Sequence, residues 1–330
     1  MSYNQPGLGD VHVDRPLTQI SIAFLQSQDA WIADRAFPVI PVPNKSDKYF
    51  TLERGAFLRD DMEKRAPGTR AATANYTIST DSFNCDVWAL AHDLSDQVLA
   101  NYDSPLQADR EVTEFLTGKA LLSKERQWNA GFFAAGVWTG DLTGVDSASP
   151  SASQFGRWDR DDSDPIETVR LGMRNVHGRT GFRPNKLVLG RKVFDDLLDH
   201  PDIVGRVDRG QTSGPARVMR EQLAALFELD EILVMDGIFN SAAEGAANSL
   251  GFVGGKSALL MYTPPAPGLM VPSAGYTFSW SGLLGAGALG ARMKRIRMEP
   301  EESSRLEIQM AYDHKLVSAD LGQFFAQAVS

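Results

Sequence analysis

The segment of residues 53–73 limits what this chain can fold into more than any other part of the sequence. It has few apolar side chains, and its charged residues include Arg54, Arg59, Asp60, Asp61, Glu63, Lys64, Arg65 and Arg70. Strand-like runs at 49–52 and 76–79 flank it, and Pro67-Gly68 is a turn pair. Such a hairpin cannot bury a core of its own, so we expect it to stand away from its domain unless another chain covers it. A disordered surface loop is the alternative.

The N-terminal region reads as an arm followed by an extended strap. Residues 1–14 are polar, and apolar side chains then recur at the helical spacing of Leu17, Ile20, Phe24 and Leu25. This spacing predicts a short amphipathic helix. Residues 37–43 (FPVIPVP) follow, and their three prolines predict extended backbone, because each proline fixes its own φ and disfavours the α region for the residue before it.

A long helix is predicted from about 105 to 133. Ser104 is a good N-cap, Pro105 suits the first helical position, and Gln107 completes a capping-box pattern. An apolar stripe follows at Val112, Phe115, Leu116 and Ala120. At 1.5 Å per residue, such a helix is about 40 Å long.

The second half of the chain has a mixed α and β pattern. Residues 139–164 are rich in Gly, Ser, Asp and Ala, which predicts a connection between two lobes. Asp164-Pro165 then opens a helix that Gly178 can close, and helices are also predicted at 192–199 and 215–227. Strands are predicted at 186–189, 231–235, 258–262, 276–280, 305–311 and 321–329. The fold class is therefore α+β.

Composition excludes several classes of protein. The 330 residues, 43% of them hydrophobic, are enough for one or two cores. The formal net charge of −9 argues against a dedicated nucleic-acid binder. Cys85 is the only cysteine, so no intramolecular disulfide can form, and an alternating strand position favours a buried thiol. No run reaches the roughly 18 apolar residues that a membrane span needs, and no signal peptide is visible.

Several short runs look like binding motifs, but they lack the flanking elements or the residue spacing that binding requires. Residues 285–290 (GAGALG) fit a dinucleotide fingerprint, but the βα units that it needs do not follow. Residues 254–257 (GGKS) resemble a phosphate-binding loop whose first glycine is replaced by Leu250, so a tight turn is the better interpretation. The acidic cluster Asp159, Asp161, Asp162 and Asp164 lacks the spacing of a calcium-binding loop, and the five histidines lack the spacing of metal ligands. We therefore expect no catalytic residues, cofactor or metal.

The order of these parts resembles the major capsid proteins of tailed bacteriophages with the Hong Kong 97-type fold. The similarity extends over residues 15–329, and no single run is diagnostic. The runs that carry it are 37–43 (FPVIPVP), 48–50 (KYF), 65–69 (RAPGT), 187–194 (LVLGRKVF), 224–228 (AALFE), 264–268 (PPAPG), 272–276 (PSAGY) and 316–322 (LVSADLG).

The resemblance implies a four-part subunit. An N-terminal arm and strap occupy 1–43, and an E-loop occupies 44–80. A peripheral domain occupies 81–150, carries the long spine helix and is completed by 276–314. An axial domain occupies 151–275, with closing strands in 315–330. The charged residues of 53–73 then become candidates for contact with a neighbouring subunit, because the family's E-loop lies over its neighbour, and the four apolar residues of the arm become further candidates.

The resemblance also implies partners and a location. The chain would form pentamers and hexamers of an icosahedral shell that encloses double-stranded DNA, with non-specific DNA contact and no membrane. The arm is short, so a separate scaffolding protein is expected, with a portal and a decoration protein as further partners. The location would be the virion, after assembly in the host cytoplasm. Two alternatives stay open: an encapsulin-like nanocompartment shell, and a nucleotide-dependent cytosolic enzyme that uses the loop at Gly285. Nothing in the spacing of Lys45, Lys48 and Lys64 selects one for a covalent crosslink.

Overall fold

The computed structural model describes residues 26–52, 54–101, 108–208, 219–268, 271–284 and 291–330. The predicted arm helix with Leu17, Ile20, Phe24 and Leu25 lies outside these residues, as do the capping residues before 108 and the glycine loop 285–290.

Helices occur mainly in the first and central parts of the described chain. The α-helices are α1 (Ala33–Ala36), α2 (Arg54–Phe57), α3 (Asp96–Ala100), α4 (Ala108–Phe132), α5 (Pro165–Thr180), α6 (Arg191–Asp199), α7 (Pro201–Asp208), α8 (Arg220–Phe227) and α9 (Ser281–Leu284). Single 3₁₀ turns lie at Gln28–Ala30, Glu299–Glu301 and Ala319–Leu321.

The strands are distributed over the whole described chain. They are β1 (Val39–Val42), β2 (Ser46–Leu52), β3 (Ile78–Asn84), β4 (Asp86–Ser95), β5 (Gly140–Val145), β6 (Gln154–Gly156), β7 (Lys186–Gly190), β8 (Glu231–Met235), β9 (Ile238–Asn240), β10 (Leu250–Phe252), β11 (Ala258–Met261), β12 (Gly275–Trp280), β13 (Ala291–Met298), β14 (Ser303–Leu316) and β15 (Gly322–Ala326).

A six-stranded mixed sheet has the order β6-β5-β15-β11-β7-β8. Its central strands are continuously apolar because both faces are covered. Leu187 and Leu189 of β7 belong to the cluster beneath α5, α6 and α8, whereas Val188 faces the cluster formed with α1 and the end of α4. This sheet therefore holds the two largest parts of the core.

A second sheet carries the long helix. Its path is β1-β12-β14-β13, and β4 also pairs with β14. The helix α4 packs on it through Leu116 and Ala120, which contact a cluster that includes Leu306 and Ile308 of β14. The strap runs parallel to β12, with Val39 opposite Thr277, and forms an edge strand. Proline is tolerated in an edge strand, because the N–H that it lacks would face solvent and would not bond a neighbouring strand.

Three local predictions need correction. The predicted connection 139–164 contains β5 and β6, which join the six-stranded sheet through β15. Helix α5 does not end at Gly178 but continues to Thr180, and Gly181 follows with a left-handed φ of 78°. Pro201 does more than stop a helix, because α7 begins there. The first error arises because local composition carries no information about distant pairing partners, and the second because a glycine alone does not mark a left-handed residue.

Candidate assembly interfaces

The predicted hairpin is present, and its base is fixed to the body of the subunit. Strands β2 and β3 pair antiparallel from Ser46–Asn84 to Leu52–Ile78. Beneath them, Phe83 stacks on Phe278 with ring centroids 4.3 Å apart. The Tyr49 hydroxyl donates to Asp81 at 2.8 Å. The backbone N–H of Ser82 and then this Tyr49 bond hold the pKa of the Asp81 carboxyl below its usual value. The base of the hairpin is therefore an ordered platform for the segment beyond it.

Beyond the strands, the hairpin contains α2 and then irregular backbone that is almost entirely exposed. Its far end is a turn in which the Thr69 N–H donates to the Ala66 carbonyl at 3.2 Å. Gly68 has a φ of 83°, as the third residue of a type II turn requires, and the Arg65 Nε donates to the Thr69 carbonyl at 2.5 Å. The Pro67-Gly68 turn prediction is confirmed. We call residues 54–77 the hairpin arm.

All eight charged candidates of the hairpin arm are exposed, namely Arg54, Arg59, Asp60, Asp61, Glu63, Lys64, Arg65 and Arg70. They are not equivalent. Arg54 pairs with Asp320 of the same chain at 2.6 Å, so it ties the start of the arm to the strand β15 region. Arg65 bonds within the turn, and Asp60 accepts from the Met62 N–H at 3.3 Å.

The sequence reasoning missed the apolar side chains of the same segment. Met62 is 90% exposed and Leu58 62%, and Phe57, Tyr76 and Ile78 are each more than half exposed. Large apolar side chains this exposed are unusual when they cluster on one element. The signal was present in the sequence, since a segment without a core has nowhere within itself to bury Phe57, Leu58 and Met62.

A second exposed apolar area lies on the five-stranded sheet. Trp88 and Leu90 of β4 are both 43% exposed, and Phe115 of α4 is 47% exposed. Trp88 lies opposite Met310 and Leu90 opposite Ile308, so both side chains are on the face that carries α4. We call Trp88, Leu90 and Phe115 the Trp88 patch.

Charged groups hold α1, at the base of the N-terminal arm, against α4 and β8. The Glu125 carboxylate of α4 accepts from the N–H groups of Ile32 and Ala33 at 3.0 and 2.8 Å, at the start of α1. Lys124 pairs with Asp34 at 2.5 Å, and Arg35 pairs with Glu231 of β8 at 2.5 Å. Burial raises the pKa of Glu125 to about 7, and the two backbone bonds offset only part of that effect.

Ser163, His200 and Cys85 have side chains of types that often act in catalysis, but each is either hydrogen-bonded within the fold or buried. Ser163 and His200 lie 3.2 Å apart, but the His200 Nδ1 accepts from the Asp202 N–H, which places the ring proton on Nε2. His200 therefore cannot accept a proton from Ser163 in this arrangement. Cys85 is buried as predicted, and burial raises the pKa of its thiol to about 11, which makes it a poor nucleophile.

The acidic cluster before α5 is also explained by local contacts. Asp164 caps the helix by accepting from the Glu167 N–H at 2.8 Å, as its sequence pattern predicted. Asp162 pairs with Arg160 at 2.7 Å, and Asp159 accepts from the Ser330 N–H at 3.0 Å. Among the described residues, no group of three His, Cys, Asp or Glu side chains is arranged to hold a metal ion. Within the same part of the chain, no helix combines the length and apolar character of a membrane span.

Similar proteins were found by sequence and by structure. No family model matches the chain. The major capsid protein of Burkholderia phage BcepMu is 22% identical over 275 residues, which cover 82% of this chain and 84% of the relative.

Among solved structures, a phage-related protein from Bordetella bronchiseptica RB50 has 22% identity and a TM-score of 0.66, with 92% of this chain and 94% of that one covered. The capsid of cyanophage P-SCSP1u has 12% identity and a TM-score of 0.62, with 98% and 95% covered. The SrpI encapsulin of Synechococcus elongatus PCC 7942 has 10% identity and a TM-score of 0.57, with 96% and 95% covered.

These likenesses extend over nearly the whole chain. The fold that the resemblance implied is thus confirmed by the likeness to solved phage capsids. The chain has the Hong Kong 97-type fold of tailed-phage capsid proteins.

Proposed function

We propose that this chain is the major capsid protein of a tailed bacteriophage, a structural protein that self-assembles into pentamers and hexamers of an icosahedral shell around double-stranded DNA. The observation that carries the proposal is the hairpin arm, which exposes Phe57, Leu58 and Met62 on a chain of capsid fold. A sequence relative that is itself a major capsid protein supports the same function.

The physical reason for assembly lies in the exposed apolar area. Burying a side chain such as Leu58 or Met62 contributes about 1.5–3 kcal/mol, and a single subunit leaves this contribution unused. A neighbouring copy that covers the hairpin arm would gain it. The Trp88 patch is an exposed apolar surface beside α4 that suits such a contact, so we propose it as the receiving surface on the neighbour. The charged side chains of the arm would then set the register between neighbours.

We assign the described elements to the parts of a capsid subunit. The hairpin β2–β3 with the hairpin arm is the E-loop. The five-stranded sheet with α4 is the peripheral domain, and the six-stranded sheet with α5–α8 is the axial domain. Because β5 pairs with β15, we assign residues 140–145 to the axial domain as well. The axial domains would meet at five-fold and six-fold positions.

Electron microscopy of the purified chain, alone and with its co-expressed scaffold, tests the proposal. We expect pentamers, hexamers or closed shells. A strictly monomeric protein under all of these conditions would contradict it.

Further partners and the location also belong to the proposal. A separate scaffolding protein, a portal and a decoration protein are expected, with non-specific contact to the packaged DNA. Assembly would take place in the host cytoplasm, and the product would be part of the virion. Pull-down of the tagged chain from infected cells, followed by mass spectrometry, would identify these partners; recovery of the chain from membranes in place of particles would contradict this location.

An encapsulin-like compartment is the second candidate, because an encapsulin has the same fold over 96% of the chain. Neighbouring genes separate the two functions: terminase and portal genes favour the phage, and a ferritin-like or peroxidase gene favours the compartment.

We propose no catalytic role. A thermal-shift screen with NAD, NADP and ATP checks this point. A ligand at 100 times its Kd stabilises a protein by about 2.7 kcal/mol, so stabilisation by any of the three would support the enzyme alternative.

A further inference from the structure

The two-stranded ribbon β9–β10 has one packed face and one exposed apolar face. On the packed side, Phe239 lies 4.8 Å from the guanidinium carbon of Arg126 of α4. On the other side, Ile238 is 39%, Leu250 70% and Phe252 37% exposed. Ile238 lies opposite Phe252, and Leu250 lies two residues from Phe252 along β10, so the three side chains share one face. We call this surface the ribbon face.

The edge of β9 is occupied by the residue that follows the predicted arm helix. The Gln26 side chain bonds both backbone groups of Ile238: its Nε2 donates to the Ile238 carbonyl, and its Oε1 accepts from the Ile238 N–H, each at 2.7 Å. The amide of Gln26 thus takes the place of a neighbouring strand. The described chain therefore begins beside the ribbon, and residues 17–25, which carry the apolar stripe of the sequence, are joined to it at Gln26.

We infer that the ribbon face is the docking surface for the apolar stripe of residues 17–25 of the same chain. Leu25 directly precedes Gln26, and Phe24 lies within two residues, which is about 7 Å of extended chain. As a helix, residues 17–25 would be about 13 Å long, and the three residue pairs of the ribbon extend about 10 Å. The stripe and the ribbon face therefore match in length and in apolar character.

Attachment favours the chain's own segment over that of a second copy. Because Gln26 is bonded to the edge of β9, a segment joined to it has an effective concentration at the ribbon in the millimolar range, far above that of a second subunit in dilute solution. A nine-residue helix is also marginal in water, so the segment needs a surface in order to be helical. The ribbon face offers such a surface within a single subunit, whether or not shells form.

Hydrogen exchange on the unassembled full-length chain tests the docking. We expect the amides of 17–25 to exchange at least about tenfold more slowly than in Leu250→Ser, which corresponds to about 1.4 kcal/mol. Leu250 is 70% exposed, so its replacement spares the core. Met62→Ser is the control, because Met62 is also exposed, at 90%, but lies on the hairpin arm. Exchange of 17–25 at the free-chain rate in the wild type, or an unchanged rate in Leu250→Ser, would overturn the inference.

Crosslinking decides which copy supplies the segment. Cys85 is buried, so cysteines introduced as Ile20→Cys and Leu250→Cys will react selectively with a short bismaleimide. We expect an internal link that leaves the double variant at monomer mobility. The pair Ile20→Cys and Met62→Cys is the control and should remain unlinked. A dimer formed only when the two single variants are mixed would identify exchange between copies and refute docking within one chain.

Discussion

Glu125 is a residue whose role depends wholly on a distant segment. Its carboxylate is buried in α4 and accepts two backbone N–H groups at the start of α1, some ninety residues earlier. In the sequence it is one more glutamate in a long helix, and the helical pattern alone would place any glutamate at the surface. Its function as an anchor arises from the packing of α1 on α4, which no local pattern encodes.

The raised pKa of Glu125 makes stability depend on pH with a definite sign. The folded-state value of about 7 exceeds the unfolded value of 4.5, so the folded state holds the proton more tightly. This contribution to stability is fully present below about pH 4.5 and is lost as the pH rises through 7. We expect Glu125→Gln, which keeps a carbonyl acceptor, to gain stability relative to the wild type over this range, by at most about 3 kcal/mol.

Urea denaturation of both proteins between pH 5 and about pH 8 measures this difference. Glu114→Gln, on the exposed side of α4, controls for the loss of one carboxylate. A constant difference between wild type and Glu125→Gln across the range would show that Glu125 is not the group responsible.

Gly322 lies directly against the ring of Trp138. A Cβ at this position would lie 2.0 Å from the Trp138 ring, and Trp138 is held by its Nε1 bond to the Phe132 carbonyl at 2.7 Å. Gly322→Ala should therefore destabilise the protein by about 1–3 kcal/mol, the usual effect of overpacking. Gly251→Ala is the control, because no atom lies within 4 Å of its Cβ position. Equal denaturation midpoints for the two variants would contradict this account.

At the level of elements, the sequence predicted best where burial is continuous. The strands β7, β8 and β11 are short apolar runs in the sequence, because both faces of each strand are buried. Strands β5 and β6 were missed because they lie in a stretch rich in Gly and Ser and are held by pairing: β5 pairs with β15 at the other end of the chain, and β6 pairs with β5. The ribbon β9–β10 was missed because each of its strands is only three residues long.

The end of α5 offers a matched pair of glycines with opposite expected effects. Gly178 lies inside the helix with open space around its Cβ position, so Gly178→Ala should stabilise by about 0.5–1 kcal/mol. Gly181 has a φ of 78°, and its N–H bonds the His177 carbonyl, so Gly181→Ala should destabilise by about 1 kcal/mol. Thermal unfolding of the two variants checks the signs, and a stabilising Gly181→Ala would refute the assigned helix end.

At the scale of the whole molecule, the sequence predicted the order of parts because each part has its own local signature: prolines in the strap, charges in the hairpin and a long apolar stripe in α4. It could not predict which hairpin side chains make contacts, because in the proposed assembly those contacts involve the surface of a neighbouring subunit. The sequence pointed to the charged residues of 53–73 as contact candidates. The structure adds the exposed side chains of Leu58 and Met62 in the same arm. Charged and apolar contacts respond differently to salt, which makes their contributions to assembly separable.

Met62→Gln and Leu58→Gln should weaken assembly while leaving the subunit fold intact. Both side chains are more than 60% exposed, so we expect changes in unfolding free energy within about 0.5 kcal/mol. Loss of about 1.4 kcal/mol of burial per contact would raise the concentration needed for shells about tenfold. Light scattering during assembly measures that concentration.

Salt then separates the two kinds of contact within the hairpin arm. Added salt screens exposed charges, so an assembly defect in Arg59→Gln should shrink as ionic strength rises, whereas the Met62→Gln defect should persist. Leu171→Gln, which alters an exposed leucine of α5 outside the arm, serves as the control. If Met62→Gln assembles at the wild-type concentration, or if its defect disappears with salt as that of Arg59→Gln does, the apolar side chains of the hairpin arm are not the surface that joins neighbouring subunits.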